Sequence, residues 1–213
     1  PVAYATYANH LQSDIVVALG DNAYGPLPGR KRASKMAERT GIWVDTILNN
    51  LEKETGSEMT KAAVFAPVLP TEIGGQSHYL MHLDEEVAPK LTGLAFYDSE
   101  MLPEMHRWPG MDRLARLSLD ESPGPHDILR QVEMGMDMFA LPFITTATES
   151  GLALTFKFPA PEAKEDVEMI EGSSVQPLAV DLANAKYATA VEPYHQDVHA
   201  TLALLITAHT SLI

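Results

Sequence analysis

Apolar residues in this chain gather into short continuous runs separated by segments with helical spacing. The runs are Ile15–Leu19, Ala62–Val68, Gly93–Tyr97, Leu114–Leu119 and Met136–Phe143, each with Gly, Pro or an acidic residue within two positions of at least one end. Runs of that length, apolar apart from Arg116, Ser118 and Asp137, predict buried strands. Between them the period lengthens. Ala33–Leu51 carries Met36, Ile42, Trp43, Ile47 and Leu48 at three-and-four spacing. His78–Leu91 carries Leu80, Leu83 and Val87, and Met101–Trp108 and His126–Gly135 follow. These predict helices, the last stopped by Gly135. Strand and helix alternate, so the fold class is α/β with parallel strands. In such folds chemistry sits on the loops beyond the strands' C-terminal ends. Here those loops include Asp21, Pro70–Gly75, Asp120–Pro125 and Phe143–Gly151.

Beyond these repeats the pattern weakens. Leu152–Phe156 and Leu178–Leu182 read as short strands. Residues 159–176 are rich in Pro and Glu, have no apolar period and predict a flexible insertion. His199–Ile213 predicts an apolar helix. Residues 1–158, 159–176 and 177–213 are therefore expected as three regions. No run is long enough for a membrane-spanning helix. A chain opening on Pro1 is expected to belong to a longer one.

Charge and cysteine content narrow the chemistry. The formal net charge of −14 opposes non-specific polyanion binding, so contact with nucleic acid needs a local basic patch. The densest is Arg30–Lys35, where Arg30, Lys31 and Arg32 are candidates for phosphate contact, although a solvated helix start is the favoured reading. Cysteine is absent, which excludes disulfides and thiolate metal ligands. His195 and His199 are spaced for a helical zinc pair, but Gln196 lies between them, not the Glu of a zinc protease, and His209 follows at no known ligand spacing. Asp21, His126 and Glu149 all fall on expected loops at strand ends and could serve an independent barrel enzyme, though no spacing rule ties them together.

One stretch carries a resemblance. The segments Arg113–Ser118, Pro125–Leu129, Gly135–Phe139 (GMDMF) and Thr146–Phe156 (TATESGLALTF) resemble the C-terminal half of the tRNA-guanine (queuine) transglycosylase family, with further similarity from about Leu11 to His209. The resemblance implies a (β/α)8 TIM-type barrel represented by its later strands, with a C-terminal helical extension. It implies exchange of guanine for queuine at the tRNA wobble position through an Asp that attacks the ribose. That Asp follows the Phe of a G–x–D–x–F motif, and here the position is Ala140. Asp137 lies on the opposite face of the strand from it. Asp21 falls on the family's base-recognising Asp. Arg39 and Trp43 keep part of a helix motif. The Gln–Gly and Gly–Gly pairs that meet the base are replaced by Leu69–Pro70 and Tyr97–Asp98, and Gln76 lies too far along to replace the Gln. The family's structural zinc uses three Cys and one His. Only His209 matches, so zinc is expected from the family but its Cys ligands are missing. Together these changes imply a non-catalytic member that pairs with a catalytic subunit, meets tRNA through the complex, or self-associates as a dimer. A protein that binds queuine alone through Asp21 is the remaining alternative. The family further implies a cytoplasmic location, with peripheral association at the mitochondrial outer membrane.

Overall fold

A computed structural model of the chain describes residues 1–23, 25–55, 62–122, 124–154 and 179–184. The chain divides into two compact units, Pro1–Ala140 and Leu141–Ile213. The first holds five strands, β1 (Ile15–Val17), β2 (Ala63–Val68), β3 (Gly93–Phe96), β4 (Ala115–Ser118) and β5 (Met138–Phe139). They pair in sequence order and all in parallel, forming a curled five-stranded sheet consistent with part of a barrel. Consecutive order with parallel pairing is what repeated β/α units give when every crossover runs the same way. The expected α/β fold with the later strands of a TIM-type barrel therefore agrees with this sheet.

Alternation along the strands sorts side chains onto two faces. Val16, Val64, Ala66, Val68, Leu94 and Phe96 belong to the large core shared with the helices. Phe65, Ala95 and Leu117 form a smaller cluster on the other face, flanked by the half-buried Val17, Ala115 and Met138. The register aligns Val17 with Phe65, Phe65 with Gly93 and Gly93 with Ala115. Gly93 is required by this alignment. A methyl built there would overlap ring carbons of Phe65 and lie 2.5 Å from the Ala115 carbonyl oxygen.

Four helical elements support the sheet in the order α1 (Val2–His10), α2 (Arg30–Thr55), α3 (Ile73–His82) and α4 (Pro125–Met134). Helix α1 was not expected. It is tied to the sheet by Tyr4, whose hydroxyl donates to the Val17 carbonyl at 2.8 Å. Helix α2 begins three residues earlier and ends four later than expected. Its buried stripe runs Ala33, Met36, Ala37, Thr40, Val44, Ile47, Leu48 and Leu51, whereas Ile42 is 59% exposed. Ile42 thus falls out of the expected core because Val44 holds the phase of the stripe. Helix α3 starts inside the expected loop and includes Gly74 and Gly75. Gly75 lets it approach α2, since a methyl there would lie 2.8 Å from the Ala33 Cβ. The expected long helix to Leu91 changes after His82 into a π-turn (Leu83–Val87) and a 3-10 turn (Ala88–Lys90). Met101–Trp108 also corrects to a 3-10 segment, Ser99–Arg107, interrupted by Pro103. Helix α4 ends as expected at Gly135, whose φ of +99° suits glycine and closes the helix through Gly135 N to Val132 O and Met136 N to Gln131 O.

Tyr79 on α3 is buried, and its hydroxyl donates to the Pro67 carbonyl of β2 at 2.8 Å. Burial first, then the charges of Asp45 and Tyr97, hold its phenol well above the ordinary value of 10.0. A group with a raised folded pKa contributes stability below its unfolded value and loses it as pH rises through the folded one. Unfolding measured in urea should therefore show stability falling above about pH 10. Tyr79→Phe should flatten that decline and cost roughly 1–2 kcal/mol at neutral pH through the lost hydrogen bond. An unchanged alkaline slope in the variant would refute the assignment.

In the second unit the expected loop Phe143–Gly151 is a helix, α5 (Pro142–Glu149). Pro142 at its first turn starts it, and Gly151 at φ +68° follows it. Strand β6 (Leu152–Leu154) pairs antiparallel with β7 (Ala179–Asp181) in a separate two-stranded sheet. The insertion 159–176, His195, His199, His209 and the C-terminal helix lie outside the described residues.

Candidate functional site at the strand ends

The parallel register fixes which residues meet at one edge. Val68, Phe96, Ser118 and Phe139 are aligned across β2–β5. One position further along are Leu69, Tyr97, Leu119 and Ala140. Continuing the β1–β2 register, which the Ala18 N to Phe65 O bond extends past β1, brings Asp21 to the level of Leu69. Gly20 confirms the closeness of the two strand ends, because a Cβ on it would stand 3.2 Å from Leu69 Cδ2.

Most polar groups along this edge are already engaged. Gln76 is fully buried on α3. Its Oε1 accepts from Leu69 N at 3.1 Å, and its Nε2 donates to Leu69 O at 2.8 Å and Thr71 O at 3.1 Å. Its amide is consumed in closing the loop after β2. Asp98 caps the 3-10 segment by accepting from Glu100 N at 3.0 Å. Asp120 accepts from the hydroxyl of Ser99 at 2.7 Å. Asp98 thus caps its own turn, and Asp120 ties the end of β4 to the turn after β3.

Asp21 is engaged as well, by two side chains of α2. Its backbone N–H donates to Thr40 Oγ1 at 3.0 Å, and its Oδ2 accepts from Arg39 Nη1 at 2.7 Å. Its side chain is one-fifth exposed. No spacing rule linked Asp21 to a helix 18 residues away, although Arg39 was visible as a motif residue. Ala140 is exposed, and its N–H donates to Ser118 O at 3.0 Å. Asp137 lies three residues earlier. Its Oδ2 accepts from Arg116 N at 2.8 Å, which binds the start of β5 to β4.

The other candidates lie apart from this edge. Arg30, Lys31 and Arg32 are exposed in the first turn of α2, and among the described residues none of them forms an ion pair. His126 is exposed in the first turn of α4, and Glu149 is exposed at the end of α5, in the second unit. A cleft of about 390 Å³ opens between α2 and α3. There His82 Nε2 lies 3.1 Å from Asp45 and its Nδ1 lies 3.5 Å from Glu86. Nothing in the sequence pointed to the pairing of His82 with Asp45, which are 37 residues apart.

The family description of queuine tRNA-ribosyltransferases matches residues 1–203. The chain belongs to the queuine tRNA-ribosyltransferase family. The queuine tRNA-ribosyltransferase accessory subunit 2 of Schizosaccharomyces pombe is 31% identical over 186 residues, covering 84% of this chain and 38% of the yeast protein. The chain thus spans 38% of the length of the curated relative it matches.

The site of three Cys and one His that the family resemblance implies for zinc cannot be built from this sequence, which holds no Cys. Among the described residues no group of three His, Asp or Glu could hold a metal ion. His209 alone cannot supply a site.

Proposed function

We propose that this chain belongs to a non-catalytic subunit of a queuine tRNA-ribosyltransferase, supporting exchange of guanine for queuine at the tRNA wobble position by a catalytic partner. The single observation that carries the reading is Ala140, a methyl group at the strand end where the family's motif places its nucleophilic Asp. The engagement of Gln76, Asp98 and Asp120 in backbone and capping bonds supports it, because beyond Asp21 the edge offers little to hold a base or position a ribose. The yeast relative's name, an accessory subunit, supports it as well. Asp21 remains as a base acceptor, and the catalytic partner supplies the reaction. The free-standing enzyme built on Asp21, His126 and Glu149 has less support, since His126 and Glu149 are exposed helix-end residues.

The test is copurification. Tagged chain mixed with a catalytic tRNA-guanine transglycosylase should elute as one complex in size exclusion, and the complex should exchange labelled guanine in tRNA. Separate elution of the two chains would overturn the proposal.

The basic start of α2 is the proposed tRNA contact, delivered through the complex. Arg30, Lys31 and Arg32 are exposed together in the first turn of α2 and, among the described residues, form no ion pair. Replacing all three with Ala should flatten the dependence of tRNA affinity on log salt by about 2–3 units, since each phosphate that the cluster neutralises adds roughly 0.9 to the slope. The same slope in the variant would leave the cluster as a solvated helix start.

A further inference from the structure

We infer that Arg39 and Thr40 are positioning residues for Asp21, setting its carboxylate at the strand end for the N–H edge of a purine base. The inference rests on the reading of Asp21 as a base acceptor. Asp21 lies just beyond β1, where the chain has left the sheet's hydrogen-bond ladder, so the strand alone does not fix its orientation. Two consecutive residues of α2 do so. Thr40 is fully buried, and its hydroxyl oxygen accepts the Asp21 N–H at 3.0 Å, which fixes the peptide. Arg39, half exposed at the rim of the same turn, donates to Oδ2 at 2.7 Å, which fixes the plane of the carboxylate. Gly20 lets the chain pass close over Pro67 and Leu69 immediately before it.

This arrangement leaves acceptor capacity for a ligand. An ionised carboxylate has about four lone-pair sites, and Arg39 occupies one of them. Among the described residues Oδ1 receives no hydrogen bond. Adjacent N–H groups of a guanine-like base can use that oxygen and share the other. An exposed ion pair contributes little to stability. Loss of Arg39 should therefore affect ligand binding far more than folding, which separates positioning from a structural role.

The experiment is calorimetric titration of the full chain with guanine and with queuine, alongside thermal unfolding. Arg39→Gln and Thr40→Val should each weaken binding about tenfold or more, the scale of one lost hydrogen bond to a charged group. The unfolding midpoint of Arg39→Gln should stay unchanged. Thr40→Ser, which keeps the hydroxyl, should restore binding close to wild type. In an Asp21→Asn background Arg39→Gln should add no further loss. Unchanged binding in Arg39→Gln overturns the positioning role alone, as does an equal loss in the Asp21→Asn background. A wild-type chain that binds neither base overturns the reading of Asp21 as base acceptor, and the positioning role with it.

Discussion

Gly93→Ala should destabilise the first unit by about 3 kcal/mol, at the upper end of what overpacking a close-packed interior costs. The added methyl meets two obstacles at once, the Phe65 ring and the Ala115 carbonyl oxygen. Phe65 is 1% exposed and packed against Ala95 and Leu117, so its ring has no empty rotamer to enter. The carbonyl belongs to the neighbouring strand and moves only if β3 and β4 separate. In thermal unfolding this amounts to a fall of about 6–12 °C for a chain of this size. Phe65→Leu alone should also destabilise, by roughly 1–3 kcal/mol, because it opens space in the same cluster. The double variant should be less destabilised than the sum, since the new methyl occupies part of the space the ring vacated. Gly93→Ala within about 1 kcal/mol of wild type, or strict additivity in the double variant, would show that the ring does not depend on this glycine.

The sheet was legible in the sequence because its strands are short, apolar on both faces and bounded by turn residues. Ala63–Val68 and Gly93–Phe96 are buried along nearly their whole length, and that burial writes a continuous apolar run. Helices were legible where packing kept their phase and lost where glycine had a second role. Gly74 and Gly75 read as a loop because glycine usually interrupts helices, yet Gly75 sits in α3 to admit Ala33. The stretch from Phe143 to Gly151 read as a loop through its Thr, Ser and Gly content. Pro142 and Gly151 bracket it as a helix, a signal that was present and outweighed. At the candidate site, Asp21 and Ala140 could be named from the chain alone. Their surroundings could not, because Arg39–Asp21, Ser99–Asp120 and Gln76–Leu69 join positions whose meeting depends on the finished fold.

The largest expected effect concerns catalysis. The wild-type chain alone should not exchange tRNA guanine, and Ala140→Asp should not make it do so. Ala140 is exposed, so an Asp there should fold normally and present its carboxylate at the strand end. Nucleophilic attack requires the ribose carbon to be held within about 3–3.5 Å of that oxygen, and such positioning accounts for roughly 7–11 kcal/mol of a barrier. The chain has little with which to provide it. The Leu69 backbone is tied to Gln76, Asp98 is bonded to Glu100 N, and Asp120 is bonded to Ser99. Asp137 supplies no substitute, since its carboxylate holds the Arg116 N–H at the start of β5. With a catalytic homologue present, exchange should appear, and it should vanish when the homologue's own nucleophilic Asp is replaced. The measurement is incorporation of labelled guanine into anticodon-stem RNA by wild type and Ala140→Asp, each with and without the partner. Exchange by the wild-type chain alone would point to a nucleophile elsewhere in this chain. Exchange gained by Ala140→Asp alone would mean that the edge still positions its substrate, and that one methyl group is all that separates this chain from a catalyst.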